Sequence, residues 1–174
     1  LFVATAMGSA AVFFVRKGRV PVPTSPSPRH AGMLRKRGGS HGGFKTWKSR
    51  WCVVVDHELY YCGACGDAIA LGSVSLVGLA VGPADESVDV GGRINRAHCL
   101  VLGWPETGAT FLLAAADGAE CARWRHELAQ AAAPSEDAVR SLDLAGLRAR
   151  CPPAAAHKPR EELVRALNAV LRAR

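Results

Sequence analysis

Short segments of strand length, separated by turn residues, fill the chain from residue 31 to residue 114 and then give way to one helical pattern. The strand candidates are at 32–37, 45–55, 58–61, 68–71, 73–81, 98–104 and 109–114. Asp117-Gly-Ala-Glu120 then has the form of a capping box, and apolar residues recur at helical spacing at Cys121, Trp124, Leu128 and Ala131. This order predicts about seven antiparallel strands closed by one amphipathic helix, in a domain of residues 31–133.

Positive charge is concentrated in the first part of the chain. The 174 residues carry a formal net charge of +7, yet ten Lys or Arg and no Asp or Glu precede Asp56. Such asymmetry predicts an anionic partner for this part of the molecule. The partner could be a phospholipid surface, a phosphorylated headgroup or nucleic acid.

The residues before the predicted domain fall into two segments. Residues 1–19 are an apolar stretch with a basic flank, and the uncharged part, 1–15, is shorter than the about 20 residues that a membrane span needs. Because the basic residues follow the apolar ones, we interpret this segment as a clipped transmembrane helix with a cytoplasmic flank, or as a disordered extension. Residues 20–30 contain four prolines and are predicted to be an extended linker, either a plain spacer or a docking site for a proline-reading domain.

The cysteines and the other reactive residues do not form the pattern of a catalytic or metal site. Six cysteines are present, most of them inside apolar runs, which is typical of free thiols in a reducing cytosol. Cys62-Gly-Ala-Cys65 is the one close pair, and it has neither two further zinc ligands nearby nor the βαβ context of a redox motif. We predict no metal, no cofactor and no enzymatic activity.

Four short motifs give the chain a resemblance to the pleckstrin homology (PH) domain family. They are Gly32-x-Leu34-x-Lys36 in the first strand, Trp47-Lys48-x-Arg50-Trp51 in the second, Leu59-Tyr60-Tyr61 in the third, and Trp124 in the final helix. The resemblance covers residues 31–133. It implies a mainly β fold, a seven-stranded bent antiparallel barrel or sandwich closed by a C-terminal helix, with a basic ligand pocket at the opposite end. It also implies structural roles for Gly32, Leu34, Trp47, Trp51 and Trp124.

The candidate ligand site lies where the first two strands of that fold meet. Residues two apart in a strand share a face, so Lys48 and Arg50 should point the same way, and Lys36 ends the neighbouring strand. The spacing Lys36-x11-Lys48-x-Arg50 resembles the basic signature of phosphoinositide-binding members of the family. Arginine can bind phosphate through two parallel hydrogen bonds, and lysine acts as a point charge. Further candidates around the glycine-rich loop 38–43 are Arg37, His41 and Lys45.

The tail after residue 133 is predicted to form two short helices, at 135–150 and 160–174. One face of the second helix carries Leu163, Leu167, Val170 and Leu171. Glu161 and Arg165 form a supporting pair four residues apart. This face predicts a protein partner for helix 160–174. The alternative is DNA binding, because the tail is faintly similar to SAP-type DNA-binding motifs.

Three functions remain open on these observations. The first is a module that binds phosphoinositides or other anionic lipid headgroups and recruits its protein to membranes in signalling or trafficking. The second is a protein–protein interaction module on the same scaffold, and nucleic-acid binding ranks third. The expected location is the cytoplasm, peripherally at membranes, with added anchoring through residues 1–15 if these are a membrane remnant.

Overall fold

A computed structural model describes residues 15–24, 28–38, 46–91, 93–104, 109–133, 139–140, 147 and 157–172. The strands among them are β1 (Val15–Pro21), β2 (His30–Arg37), β3 (Trp47–Val55), β4 (Glu58–Cys62), β5 (Ile69–Ser75), β6 (Ala80–Pro83), β7 (Cys99–Trp104) and β8 (Ala109–Ala114). The longer helices are α1 (Gly118–Ala132) and α2 (Arg160–Arg172), and a short 3-10 helix spans Arg96–His98.

The eight described strands form one antiparallel sheet in the order β1-β5-β4-β3-β2-β8-β7-β6. β2 pairs with β3 along its whole length but with β8 only at Arg35 and Lys36. The sheet therefore folds over at β2 into two layers, with β1 and β6 as its free edges. This confirms the predicted mainly β, PH-like sandwich with a C-terminal helix, and the sheet is open rather than a closed barrel.

The main core lies between the two layers and α1. Strand alternation selects its members: β3 buries Cys52 and Val54 completely, whereas Trp51 and Val53 belong to a second cluster outside the core. Leu34 is 2% exposed in the same core. From α1 the core takes Cys121, Trp124, Leu128, Ala131 and Ala132.

Helix α1 begins with a variant of the predicted capping box. The Asp117 carboxylate accepts a hydrogen bond from the Glu120 amide at 2.7 Å, and the Glu120 carboxylate accepts one from the Ala116 amide at 3.0 Å. Glu120 thus reaches one residue further back than in the usual box. One turn later, Trp124 is fully buried with its ring edge-on to His30 at 4.4 Å. Gly32 lies against the same ring, since a Cβ there would be 3.5 Å from the indole.

The other two tryptophans of the family motifs lie on the outer side of β3. Trp47 is half-buried and donates a hydrogen bond from its indole to the Val90 carbonyl at 2.9 Å. Trp51 is half-buried in the cluster that contains Val20 and Val22. These residues hold the segments before β2 and before β7 against the sheet.

The first strand was not predicted from the sequence. Residues 15–21 pair antiparallel with β5, with Val15 opposite Val74 and Pro21 opposite Ile69. An unpacked linker starting at residue 20 is therefore wrong for Val20 and Val22, whose side chains pack onto the outer cluster of the sheet. β5 would otherwise present unpaired backbone groups, which favours an added strand. Residues 1–14, on which the membrane-remnant interpretation rests, lie outside the described residues, and no helix within the described ranges is long and apolar enough to span a bilayer.

The apolar runs at 68–71 and 73–81 are divided differently from the prediction. Both contribute to β5, which continues through Gly72, and the next turn separates it from β6 at Ala80. Gly72 does not interrupt the strand because it pairs directly with Tyr61 of β4. A glycine inside an apolar run was therefore a poor marker of a strand end at this position.

Helix α2 is confirmed where the tail was predicted to be helical, and Glu161 pairs with Arg165 at 3.9 Å. Its Leu163 and Leu167 are 0% and 1% exposed. They pack against Val77 of the turn between β5 and β6, and against Val139 and Leu147. The two leucines that were expected to meet a protein partner are thus already covered within the chain. The side chains of Val170 and Leu171, and most of 135–150, lie outside the described residues.

Candidate functional site

The register of β2 and β3 brings the predicted cations onto one face. Lys36 lies directly opposite Lys48, and Leu34 lies directly opposite Arg50. Residues opposite each other in a sheet project from the same face. Leu34 on this face is a core residue, as is Cys52, which follows Arg50 by two positions. Lys36, Lys48 and Arg50 therefore continue the core face beyond its last buried residues, toward the open end of the sandwich; we call them the inner-face cations.

Lys36 is held against two aromatic rings at this open end. Its Nζ lies 4.9 Å from the centre of the Tyr61 ring and 4.6 Å from the centre of the Phe111 ring, and it donates to the Arg37 carbonyl at 3.4 Å. Cation–π contacts of this type contribute about 0.5–1 kcal/mol when exposed and about 2 kcal/mol when desolvated. Because Tyr61 belongs to β4 and Phe111 to β8, the ammonium group is fixed at the rim between the two layers.

Arg50 is close enough to the inner face to influence two groups there. Burial raises the pKa of the Cys52 thiol to about 12; Cys62 adds to this, and the charges of Lys36 and Arg50 oppose it. Burial likewise raises the pKa of Tyr61, and Arg50 again opposes the rise. The Arg50 guanidinium donates to the Ser49 carbonyl at 2.7 Å, which uses only part of its donor capacity.

Lys48 completes the inner-face cations and is exposed. Like charges directly opposite each other in a sheet destabilise it by roughly 0.2–1 kcal/mol. Within the described part of the chain, neither Lys48 nor Arg50 forms an ion pair with an acidic side chain. The open end therefore carries positive charge that a bound anion would compensate.

Arg37, a further predicted site residue, does not join this group in the structure. Arg37 follows Lys36 on the strand and so lies on the opposite face, where its guanidinium pairs with Asp89 at 2.8 Å. Its side chain is only 11% exposed. The structure thus gives Arg37 a partner in the chain and separates it from the inner-face cations. His41 and Lys45 lie outside the described residues.

Three residues that contact the predicted cations were not predicted as part of the site from the sequence: Tyr61, Phe111 and Asp89. Tyr61 was recognised only as part of a strand motif, and Phe111 only as part of an apolar run. The signal for Tyr61 was present in the strand period, because Tyr61 pairs with Cys52, two residues from Arg50. Asp89 is 52 residues from Arg37 in the chain, and no local pattern marks the two as partners.

The thiols of the described residues are suited to packing rather than chemistry. Burial is the main cause that raises the pKa values of Cys52, Cys62, Cys99 and Cys121, which keeps these thiols protonated and poorly nucleophilic. Cys65 is exposed and free. In the ranges that the structure describes, no three His, Cys, Asp or Glu side chains form a group that could hold a metal ion.

Comparisons with known proteins agree with this architecture. A family model for the PH domain matches residues 28–133. The PH domain of human pleckstrin homology domain-containing protein family A member 5 is 24% identical, with a TM-score of 0.52, over 66% of this chain and 85% of that one. The C-terminal PH domain of pleckstrin, solved in complex with D-myo-Ins(1,2,3,5,6)P5, is 20% identical with a TM-score of 0.48, over 62% of this chain and 97% of that one. No curated protein matches the chain.

Because the family model matches more than half of the residues, the chain belongs to the PH domain family. PH domains are typically non-catalytic modules that bind lipids or proteins. The fold therefore defines a binding module.

Proposed function

We propose that this chain is a phosphoinositide-binding PH module that brings its protein to anionic membranes, with Lys36, Lys48 and Arg50 holding the headgroup. The observation that carries the proposal is the register of the β2–β3 hairpin, which sets Lys36 opposite Lys48 and Arg50 next along the same face. All three extend the core face to the open end of the sandwich. In this role the module lies peripherally on the cytoplasmic side of the membrane. The proposed function includes no catalytic step.

The chemistry of the site suits a ligand with several phosphates. Charge-assisted hydrogen bonds contribute roughly 1.5–3 kcal/mol each, and the cations are spread over two strands, so they can engage more than one phosphate. Lys36 is already fixed over Tyr61 and Phe111, which lowers the ordering cost of binding. Arg50 supplies a planar fork for two parallel bonds to one phosphate.

The charge of the surrounding chain supports membrane attachment. Ten Lys or Arg precede the first acidic residue, Asp56. Each basic residue close to an anionic membrane surface adds about 1 kcal/mol of attraction, which weakens with salt. Membrane binding should therefore have two parts. Salt should strongly weaken the attraction between the diffuse positive charge and the membrane, and it should weaken headgroup binding at the specific site much less.

Vesicle co-sedimentation of the full chain tests the proposal. Phosphatidylcholine vesicles would carry a small fraction of each phosphoinositide isomer in turn, with phosphatidylserine at equal total charge as the comparison. We expect tighter binding to at least one phosphoinositide than to phosphatidylserine. Arg50→Ala should reduce that binding about 10–150-fold, since it removes charge-assisted bonds worth roughly 1.5–3 kcal/mol.

Arg123→Ala is the matched control, because Arg123 is an exposed arginine of α1, the helix that closes the sandwich. It should leave phosphoinositide binding unchanged. Equal, small losses in both variants would reduce the inner-face cations to a nonspecific basic surface. If the wild-type chain binds none of the vesicles, the alternative function is favoured, a protein-interaction module on the same scaffold.

A further inference from the structure

Two of the three exposed large hydrophobic side chains among the described residues lie together at the start of β5. Ile69 is 42% exposed and Leu71 is 45% exposed. They are two residues apart in the strand, so they project from the same side. Ala70 between them projects from the other side, where it is fully buried in the cluster that contains Val20. This stretch of β5 therefore packs through one side and exposes an apolar pair on the other.

β1 extends this apolar surface onto the neighbouring strand. Its Pro21 is exposed and lies directly opposite Ile69. Residues opposite each other in a sheet project from the same face, so Pro21 continues the apolar pair. Because β1 is an edge of the sheet, no further strand in the described part of the chain borders this surface. We call Pro21, Ile69 and Leu71 the edge patch.

The edge patch lies near the open end of the sandwich. β4 ends at Cys62, which is opposite Trp51 near the start of β3, and β5 begins at Ile69. The turn 63–68 that joins β4 to β5 therefore lies at the same end of the sheet as the inner-face cations. A membrane that meets these cations would also approach this turn and the edge patch.

The turn before the edge patch is compact and carries mostly small side chains. Residues 63–69 are all exposed, and Asp67 is the one charged residue in 63–68. The Asp67 carboxylate accepts a hydrogen bond from the Ala64 amide at 2.9 Å. Gly66 adopts a φ of +84°, a left-handed conformation that favours glycine. Since a charge that is already hydrogen-bonded costs less to desolvate, this turn can lie close to a membrane surface.

The charge of β1 suits an anionic surface. The strand contains Arg16, Lys17 and Arg19 and no acidic residue, and Arg19 is exposed. Binding at the boundary between lipid headgroups and acyl chains grows with the apolar area that is buried and with electrostatic attraction to anionic lipids. The first two strands of this sheet edge supply both: β5 supplies the apolar pair and β1 supplies the positive charge.

We infer that the edge patch inserts into the boundary region of an anionic membrane, at a place separate from the headgroup site. The inference rests on the proposed function only in taking an anionic membrane as the partner. The edge patch recognises no particular headgroup, because it offers apolar contacts and diffuse charge. Attachment through both the inner-face cations and the sheet edge fixes which side of the module faces the membrane.

Binding of the full chain to vesicles without phosphoinositide tests the inference. The vesicles contain phosphatidylserine and phosphatidylcholine, and the test variant combines Ile69→Thr with Leu71→Thr, since threonine also favours strands. We expect this double variant to bind about tenfold more weakly, because it removes apolar area that the membrane covers. Met33→Thr is the matched control, because Met33 is 46% exposed on β2, and it should bind like the wild type. An unchanged thermal midpoint will show that each variant is folded.

A polarity-sensitive dye on Cys65 reports insertion directly. Cys65 is exposed in the turn before the edge patch, whereas the other four cysteines of the described residues are buried. In a Cys151→Ser background the label should therefore attach at Cys65. Its emission should shift to the blue on phosphatidylserine vesicles, and the shift should be smaller in the double variant.

Three results would overturn the inference: no binding of the wild-type chain to these vesicles, equal losses in the double variant and in Met33→Thr, or a dye on Cys65 whose emission does not change. Calorimetry with a soluble inositol trisphosphate separates this inference from the proposed function. The double variant should bind inositol trisphosphate like the wild type. A wild-type chain that binds the vesicles through the edge patch but does not bind inositol trisphosphate would support this inference and contradict the proposed headgroup site.

Discussion

Replacing Trp124 by alanine should destabilise the domain by about 3 kcal/mol, because this side chain joins α1 to the core. Trp124 is fully buried, its ring lies edge-on to His30 at 4.4 Å, and Gly32 lies against it. Truncating a buried tryptophan or phenylalanine to alanine costs about 3–5 kcal/mol through lost contacts and the cavity left behind. We expect a cost at the lower end of that range, because the indole N–H of Trp124 offsets part of the gain from packing.

The indole N–H of Trp124 is buried and has no hydrogen-bond partner among the described residues. An unsatisfied buried donor costs about 1–3 kcal/mol, and the alanine variant recovers part of this cost. Trp124→Phe separates the two effects, since it also removes the N–H but fills most of the cavity. We expect the phenylalanine variant to lose about 1 kcal/mol or less.

Urea unfolding followed by far-ultraviolet circular dichroism measures both variants through the free energy of unfolding and the m-value. A loss below about 1 kcal/mol for the alanine variant, with an unchanged m-value, would refute the packing role of Trp124. If the phenylalanine and alanine variants lose equal stability, the cavity argument is wrong and the ring itself is needed.

Three further predictions concern the site and its frame. Lys48→Thr should stabilise the unliganded chain by roughly 0.2–1 kcal/mol in urea unfolding, because it removes the like charge opposite Lys36, while weakening phosphoinositide binding. Asp117→Ala should cost about 1 kcal/mol in the same assay through loss of the cap of α1. Ser87→Ala should raise the pKa of Asp85 in an NMR titration, because hydrogen bonds from the Ser87 hydroxyl and amide are the main causes that lower it. Because folding lowers the pKa of Asp85, the ionised carboxylate stabilises the folded chain above its unfolded pKa, and this stabilisation is lost as the pH falls through the folded pKa. In the variant the folded and unfolded pKa values should lie closer together, so this pH-dependent stabilisation should be smaller.

Local patterns were sufficient for the parts of the fold and site that depend on neighbouring residues. The common face of Lys48 and Arg50 follows from the two-residue period of a strand, and the helix around Trp124 follows from its spacing and its cap. Lys36 could also be placed, because a hairpin pairs residues symmetrically about its loop and so sets Lys36 opposite Lys48.

Contacts between distant segments could not be predicted in this way. β1 forms because the edge of β5, more than 45 residues later in the chain, offers it backbone partners. Arg37 was grouped with the candidates around the glycine-rich loop, yet Asp89 binds it on the other face of the strand. The leucines of α2 looked like a docking face because their partners, Val77, Val139 and Leu147, lie outside the helix in earlier segments of the chain.

The most direct test of the proposed function is calorimetry of the full chain with a soluble inositol trisphosphate at physiological salt. If the inner-face cations hold the headgroup, the wild-type chain should bind it saturably. We expect a loss of affinity of about 10–150-fold in Arg50→Ala and a further loss when Lys48→Ala is added, because each substitution removes charge-assisted bonds to the same headgroup. Arg123→Ala should bind like the wild type. No binding by the wild-type chain, or a loss in Arg50→Ala no larger than that in Arg123→Ala, would contradict the account.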